Sequence, residues 1–447
     1  MPADHPNRRP NYHLDSAIAG LQEHYAIANP QSNSQHQLAC ESMPGGNTRS
    51  VLHFDPFPLT IAGGRAATLT DIDGHTYTDF IGEYTAGLFG HSCSQINDAV
   101  QRAMTDGILL CGPNRYEQKL SALLCERFAS IERLRFVNTG TEANLMAVTA
   151  ARASTGKTHI MAFDGAYHGS VFIYANGVSQ HNAPYPTVLG KYNNTQHTVA
   201  LIRKHADELA CVLIEPMMGT GGAIPADKLF LEALRDVCTE NGVILIFDEV
   251  MTSRLSGGGL QGALDVTPDM TTLGKYIGGG MTFGAFGGRA DIIDQFDPRV
   301  PDGLPHAGTF NNNVLTMSAG IVALEELYPT ALADEFTAKG DSFRERLQRL
   351  ASGRSLPVQL TGVGSLMNIH FSRQPVRSPE QARKGNPRLR QLLQMVMLDA
   401  GFYIGKTGYL ALMLPLTDSD YDNFADAFDG FLDTYGDLIE NNIIKIQ

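Results

Sequence analysis

Between residues 84 and 330 the chain alternates short apolar runs with helical stretches, and no other feature narrows the fold as far. Leu134–Asn138, His159–Phe163, Cys211–Glu215 and Val243–Asp248 are strand-sized, with Val and Ile prominent among them. Helical stretches such as Glu142–Ala153 and Lys228–Asn241 separate them. Strands joined through helices form a mainly parallel sheet, and such a sheet needs both faces covered. The expectation is an α/β large domain over residues 84–330. After Tyr328-Pro329 the texture changes. A charged helix over Ala331–Ala351, strand-like segments at Val358–Phe371 and Tyr409–Leu414, and a helix around Pro387–Ala400 predict a smaller α+β domain over residues 331–447. Upstream, residues 13–42 read as helical, and Leu59–Phe80 alternates around Asp73-Gly74 as a hairpin does. The first dozen residues are polar and read as a loose arm, so residues 1–83 form an arm and a segment joining the small domain.

A chain of 447 residues, 43% of them hydrophobic, can bury a sizeable core in two domains. Its net charge is −13, the opposite of a nucleic-acid binder's footprint. The six cysteines include no CxxC pair and read as reduced thiols of a cytoplasmic protein. The fourteen histidines show no HExxH, so no metal site is expected. The N-terminus lacks an apolar core of the secretory kind, and the longest apolar runs, such as Val243–Phe247, are too short to span a bilayer. Gly257–Gly262 fits GxGxxG by letter but does not lie directly between a strand and a helix, so no dinucleotide site is expected there.

Chemistry concentrates at a few positions. Lys275 is closely flanked by glycines in Leu273-Gly274-Lys275-Tyr276-Ile277-Gly278-Gly279-Gly280. Glycine permits the close backbone approach that a covalently bound flat aldehyde requires, and a desolvated pocket lowers the lysine pKa. Alone, such a lysine reads more readily as a solvated surface residue. Asp248 ends the apolar run Val243–Asp248, and ligands of open α/β sheets lie beyond the carboxyl ends of strands. A carboxylate there can pair with a pyridinium nitrogen. The two are 275 − 248 = 27 residues apart, room for one loop and the next strand. Thr139-Gly140-Thr141 opens a helix after a strand, a natural phosphate seat as well as an ordinary cap. Tyr167, in Tyr167-His168-Gly169 after a strand, could stack on a ring.

Five motifs occur in order: Phe136-Val137-Asn138-Thr139-Gly140-Thr141-Glu142-Ala143, Gly165-Ala166-Tyr167-His168-Gly169, Phe247-Asp248-Glu249-Val250, the Lys275 segment, and Gly308-Thr309-Phe310. Together they resemble the class III aminotransferases of pyridoxal 5′-phosphate (PLP) fold type I, over nearly the whole chain. That resemblance implies a mainly parallel sheet of the seven-stranded type between helices in the large domain. It implies that Lys275 holds the cofactor as a Schiff base and shuttles the proton. Asp248 would bind the pyridine nitrogen, Tyr167 and Val250 the two ring faces, and Thr139, Gly140 and Thr141 the phosphate. Glu215 would belong to the cofactor site too. Thr309 would reach the phosphate of a neighbouring subunit in a homodimer.

Within the class, two branches resemble the chain most: the glutamate-1-semialdehyde aminomutases and, nearer, the aromatic β-amino acid (β-phenylalanine) aminotransferases. The latter resemblance rests on Met43-Pro44-Gly45-Gly46-Asn47-Thr48-Arg49-Ser50-Val51-Leu52, Glu83-Tyr84-Thr85-Ala86-Gly87, Asp248-Glu249-Val250-Met251-Thr252-Ser253-Arg254 and Gly308-Thr309-Phe310-Asn311-Asn312-Asn313. It implies that Arg49 grips a substrate carboxylate, as a guanidinium fork can do bidentately. Glu83 and Lys406 join it as substrate-site residues. The chain departs from the group at Thr407, where the group carries an arginine for the keto-acid acceptor, leaving Lys406 beside it as a point charge. It departs again at Met218, where relatives carry a polar amide. The expected function is amino transfer from a β-amino acid or related amine to an α-keto acid. The alternative is aminomutase-like transfer within one molecule.

Overall fold

The computed structural model describes residues 13–443; the polar first dozen residues lie outside them. The expected helix over 13–42 is two helices, Leu14–Ala28 and Pro30–Cys40. The break follows from Pro30, because the residue before a proline is driven out of the helical region. Asn29 sits there at φ −122°, ψ 55°. Thr68–Asp71 and Thr76–Asp79 pair as the antiparallel hairpin expected around Asp73-Gly74, and Gly74 takes the left-handed φ of +94° that the turn requires.

Seven strands form the central sheet, in spatial order Arg133–Val137, Gly284–Gly288, Met270–Gly274, Ile244–Asp248, Leu209–Ile214, His159–Phe163 and Thr187–Gly190. Gly284–Gly288 runs antiparallel to both its neighbours; the other pairings are parallel. Adjacent residues of a strand face opposite sides. Phe136 and Val137 accordingly fall into separate core clusters, as do Ala285 and Phe286, so apolar side chains cover both faces. Helix Gly140–Thr155 ends on Gly156 at φ +68°, and helix Lys228–Asn241 on Gly242 at φ +59°, both left-handed caps.

Beyond helix Thr330–Gly353, strands Val358–Val363 and Leu366–Phe371 form an antiparallel hairpin extended by Tyr409–Ala411. Phe402–Tyr403 instead pairs in parallel with Thr76–Asp79, tying the N-terminal hairpin to the C-terminal part. The chain closes with a 24-residue helix, Asp418–Asn441, which the sequence reading did not include. Its signals are present: a Thr417/Asp420 capping box and buried Tyr421, Phe424, Ala425, Phe428, Phe431 and Leu432 at helical spacing. Among the described residues no helix is long and apolar enough to cross a membrane, and no group of three or more His, Cys, Asp or Glu gathers to hold a metal.

Candidate active site

The parallel strands end on one edge of the sheet, and the chemistry-bearing residues gather along it. Asp248 is the last residue of its strand, beside Thr272 of the next, and Lys275 directly follows that neighbouring strand. Glu215 directly follows Leu209–Ile214, Thr139 lies just past Arg133–Val137, and Tyr167 lies in the loop after His159–Phe163.

Lys275 adopts φ +55°, a left-handed conformation unfavourable for any residue with a Cβ. Its Nζ makes no hydrogen bond or ion pair among the described residues. Burial, reinforced by the Arg49 charge, pushes its pKa down to about 8, while the Asp248 and Glu215 carboxyls act in the opposite direction. The residue is therefore a free amine to a large extent near pH 8. Val250 accounts for two glycines of the site, one of them next to Lys275: a Cβ on either Gly140 or Gly274 would lie 3.0 Å from a Val250 methyl.

Asp248 is buried and fully engaged from one side. Its Oδ2 accepts from Asn144 Nδ2 (2.8 Å) and from His168 Nδ1 (2.8 Å), and its Oδ1 from the Val250 amide (3.0 Å). A carboxylate offers about four acceptor sites, so one more donor can be accommodated. Asn144 is held in turn, donating to the His168 carbonyl (3.1 Å) and accepting from Thr272 Oγ1 (2.8 Å). Asn144 and His168 therefore orient the carboxylate. The sequence pattern gave neither of them a role, although His168 stands within a motif. The available signal was a polar residue at a position that helix or strand packing buries.

Glu215 is buried as well. It binds the loops around it, accepting from the Tyr167 amide (3.0 Å) and the Gly219 amide (2.9 Å). Burial pushes its carboxyl up to about 7; the Asp248 charge adds to this, and His168 and the two amides oppose it. The Tyr167 side chain is 39% exposed, open to a ligand on this edge.

At the start of helix Gly140–Thr155, the Thr139 side chain accepts from the Glu142 amide (3.1 Å), and the Glu142 carboxylate accepts from the Asn138 amide (2.6 Å). Gly140 and Thr141 donate their amides to no acceptor among the described residues, so the positive end of the helix stays open. Gly169, at φ +104°, packs so closely that an added Cβ would lie 2.3 Å from Thr141 Oγ1, and the Ser170 amide donates to that oxygen (3.2 Å). By contrast, Gly257–Gly262 offers no such seat: the Leu260 and Gln261 amides are taken by the buried Glu249 carboxylate.

A second cluster borders Lys275. Arg49 pairs with Glu83 through Nη1 and Oε1, and its guanidinium lies 5.7 Å from the Tyr84 ring centroid. Gly82, Glu83, Tyr84 and Thr85 all have positive φ, +46°, +48°, +51° and +84°, a run stable only when braced. Asp79 braces one end by accepting from the Ile81 and Gly82 amides (2.7 and 3.1 Å). Arg254, fully buried and without a carboxylate partner among the described residues, braces the other, donating to the carbonyls of Thr85 (3.4 Å) and Leu412. Arg254 is a further residue that the sequence reading left without a role. Lys406 donates to the carbonyls of Ser50 (3.1 Å) and His53 (2.8 Å). Thr309 lies in an exposed turn, and Met218 is buried.

An open helix N-terminus, an unpartnered amine of lowered pKa and a buried carboxylate with one free acceptor site can hold a phosphate, an aldehyde carbon and a protonated ring nitrogen together. Over residues 52–432 the chain matches the family Aminotransferase class-III. The chain is a class-III aminotransferase. This aminotransferase is similar to the β-phenylalanine transaminase of Variovorax paradoxus, at 48% identity over 426 residues covering 95% of this chain and 98% of the relative. The crystal structure of a β-phenylalanine aminotransferase from that organism matches with a TM-score of 0.94, covering 95% of this chain and 99% of the other. A glutamate-1-semialdehyde 2,1-aminomutase of Citrifermentans bemidjiense is 33% identical over 414 residues, 89% of this chain and 96% of the relative. The aminotransferase has PLP fold type I, and pyridoxal 5′-phosphate is its cofactor.

Proposed function

We propose that the enzyme transfers the amino group of a β-amino acid, aromatic ones included, to an α-keto acid. The observation that carries this reading is the Arg49–Glu83 pair, whose guanidinium charge reaches Lys275 and which already holds a carboxylate, that of Glu83. A substrate carboxylate can take the place of Glu83 on the same fork. The identity to the β-phenylalanine transaminase supports the same substrate class. Bound PLP supplies the carbonyl carbon that receives the amine and a ring that withdraws electrons. Gly140, Thr141 and Thr139 would hold its phosphate, Asp248 would keep its ring nitrogen protonated, and Tyr167 and Val250 would line the ring. Lys275, the nearby base, removes the proton from the amine-bearing carbon of the donor and returns one in the second half of the cycle. Asn144 and His168 keep Asp248 aimed. The division of the chain at 83 and 330 belongs to the same reading, supported by the pairing of Phe402–Tyr403 with Thr76–Asp79. The cytoplasm is the proposed compartment.

Arg49→Ala tests the substrate class. A charge-assisted hydrogen bond contributes about 1.5–3 kcal/mol. Loss of the fork should therefore lower kcat/KM for 3-amino-3-phenylpropanoate roughly ten- to 150-fold, at about 1.4 kcal/mol per tenfold. For 1-phenylethylamine, which lacks the carboxylate, the loss should be much smaller. Equal losses for the two donors would make Arg49 structural and remove the support for a β-amino acid. Turnover that requires no keto acid would favour intramolecular amine transfer instead.

The proposed assembly is a homodimer. Ile108, Leu109 and Leu110 are 44%, 50% and 43% exposed, and Phe310 is 55% exposed. Hydrogen bonds join these segments, Val314 donating to Ile108 (3.2 Å) and Asn114 to Asn312 (2.9 Å), so the apolar side chains belong to one region. Asn311 accepts from Asn138 (2.9 Å), which connects that region to the phosphate end of the site. A second copy covering it would bring its Thr309 towards this phosphate. Light scattering should report a dimer under assay conditions, and a fully active monomer would contradict the assembly.

A further inference from the structure

We propose that Lys406 is a positioning residue for Arg49, holding the turn that carries the guanidinium rather than touching a substrate carboxylate. The inference rests on the reading of Arg49 as the carboxylate fork. Lys406 Nζ donates to Ser50 O (3.1 Å) and His53 O (2.8 Å). Those carbonyls bracket the single helical turn Ser50–Leu52, whose first bond runs from the Leu52 amide to the Arg49 carbonyl (2.9 Å). Two of the three ammonium donors are thus engaged with the backbone immediately after Arg49.

The loop that presents Lys406 is itself tightly held. The Gly405 amide donates to Tyr409 O (3.0 Å) and the Gly408 amide to Gly405 O (2.8 Å). Gly408 sits at φ +82° with the Ile369 carbonyl 2.6 Å from where a Cβ would be, so the loop is pressed against strand Leu366–Phe371. The same loop supports Arg49 a second time. Tyr409 stacks on Tyr84, with ring centroids 6.3 Å apart and planes 16° apart, and the Arg49 guanidinium lies over Tyr84. Backbone and guanidinium are therefore both referenced to one loop of the C-terminal part. Burial pushes the Lys406 ammonium below the ordinary lysine range, with Asp55 opposing, as fits a side chain turned inward. Thr407 beside it is exposed and makes no hydrogen bond among the described residues.

The test compares Lys406→Met, which keeps the aliphatic stem, with Lys406→Arg, which restores donors, each in the wild-type and Arg49→Ala holoenzymes. Misplacing a positioning group can cost up to about a hundredfold. Lys406→Met should raise KM for 3-amino-3-phenylpropanoate by about tenfold while kcat falls less than about threefold, and Lys406→Arg should recover most of the loss. In the Arg49→Ala background the further loss from Lys406→Met should be under about twofold, because the group it positions is gone. If Lys406→Met costs the same factor with and without Arg49, Lys406 acts on the substrate itself and the proposal is overturned. It is overturned too if Lys406→Met leaves KM unchanged in a folded enzyme, as judged by its melting temperature. The comparison of donors with and without a carboxylate on Arg49→Ala alone is a separate outcome. It decides the role of the fork, whereas non-additivity decides whether Lys406 works through Arg49.

Discussion

Lys275→Ala is expected to fold, to retain PLP by non-covalent contacts, and to lose at least about 10²–10⁴-fold in kcat, the usual contribution of a positioned base. On the proposed role of Lys275, the loss should exceed that of any other single substitution, because the covalent hold on the cofactor would disappear with the base. Borohydride treatment followed by mass spectrometry should find cofactor fixed to wild type and none fixed to the variant. Reductive trapping on Lys275→Ala at wild-type yield would identify another lysine as the anchor. The lowered pKa adds a pH dependence with a definite sign. The neutral amine is the nucleophile, and burial with the Arg49 charge brings its pKa to about 8. Capture of PLP by the wild-type apoenzyme should therefore accelerate as pH rises through about 8 and level off above it. A lysine at the ordinary value would keep accelerating beyond pH 9.

Asp248→Asn is the second large effect. The carboxylate lies buried among donors from Asn144, His168 and the Val250 amide. An amide in its place loses the charge and turns its own NH₂ towards other donors. Breaking a buried charge pair costs about 3–5 kcal/mol, so kcat should fall on the order of 10²–10⁴-fold. The cofactor should still bind through the open amides of Gly140 and Thr141, so the loss should fall on kcat more than on cofactor affinity. Titrating PLP into the apo-variant while following its visible absorbance, alongside steady-state rates, separates the two. A variant with unchanged kcat and much weakened PLP binding would make Asp248 a binding group and not an electronic one.

The sequence disclosed the central sheet where hydrophobicity was continuous. Val243–Asp248 and Cys211–Glu215 lie largely on the strands Ile244–Asp248 and Leu209–Ile214, both buried throughout. It was silent on Gly284–Gly288, because a strand with three glycines in five residues carries no apolar signal. Those glycines answer to neighbours: a Cβ on Gly284 would lie 2.3 Å from the Thr139 carbonyl, and one on Gly288 2.4 Å from the Asp269 carbonyl. The break at Asn29-Pro30 was legible from proline chemistry, and the closing helix from its capping box and apolar spacing.

By itself the sequence determined the strand–helix alternation, the ordered motifs, and with them the class of enzyme and its cofactor. Asp248 stood out as a candidate because it ends an apolar run, and Lys275 because glycines flank it within a family motif, both of them local patterns. Tertiary structure alone decided which groups orient them. Asn144 and His168 reach Asp248 from elements 104 and 80 residues away, and sequence spacing holds no record of such distances. Tertiary structure alone likewise turned Lys406 onto the carbonyls of Ser50 and His53, more than 350 residues distant. A charge read in sequence is a capacity for hydrogen bonding; folding selects the partner, because burial leaves donors only the acceptors that packing brings within reach.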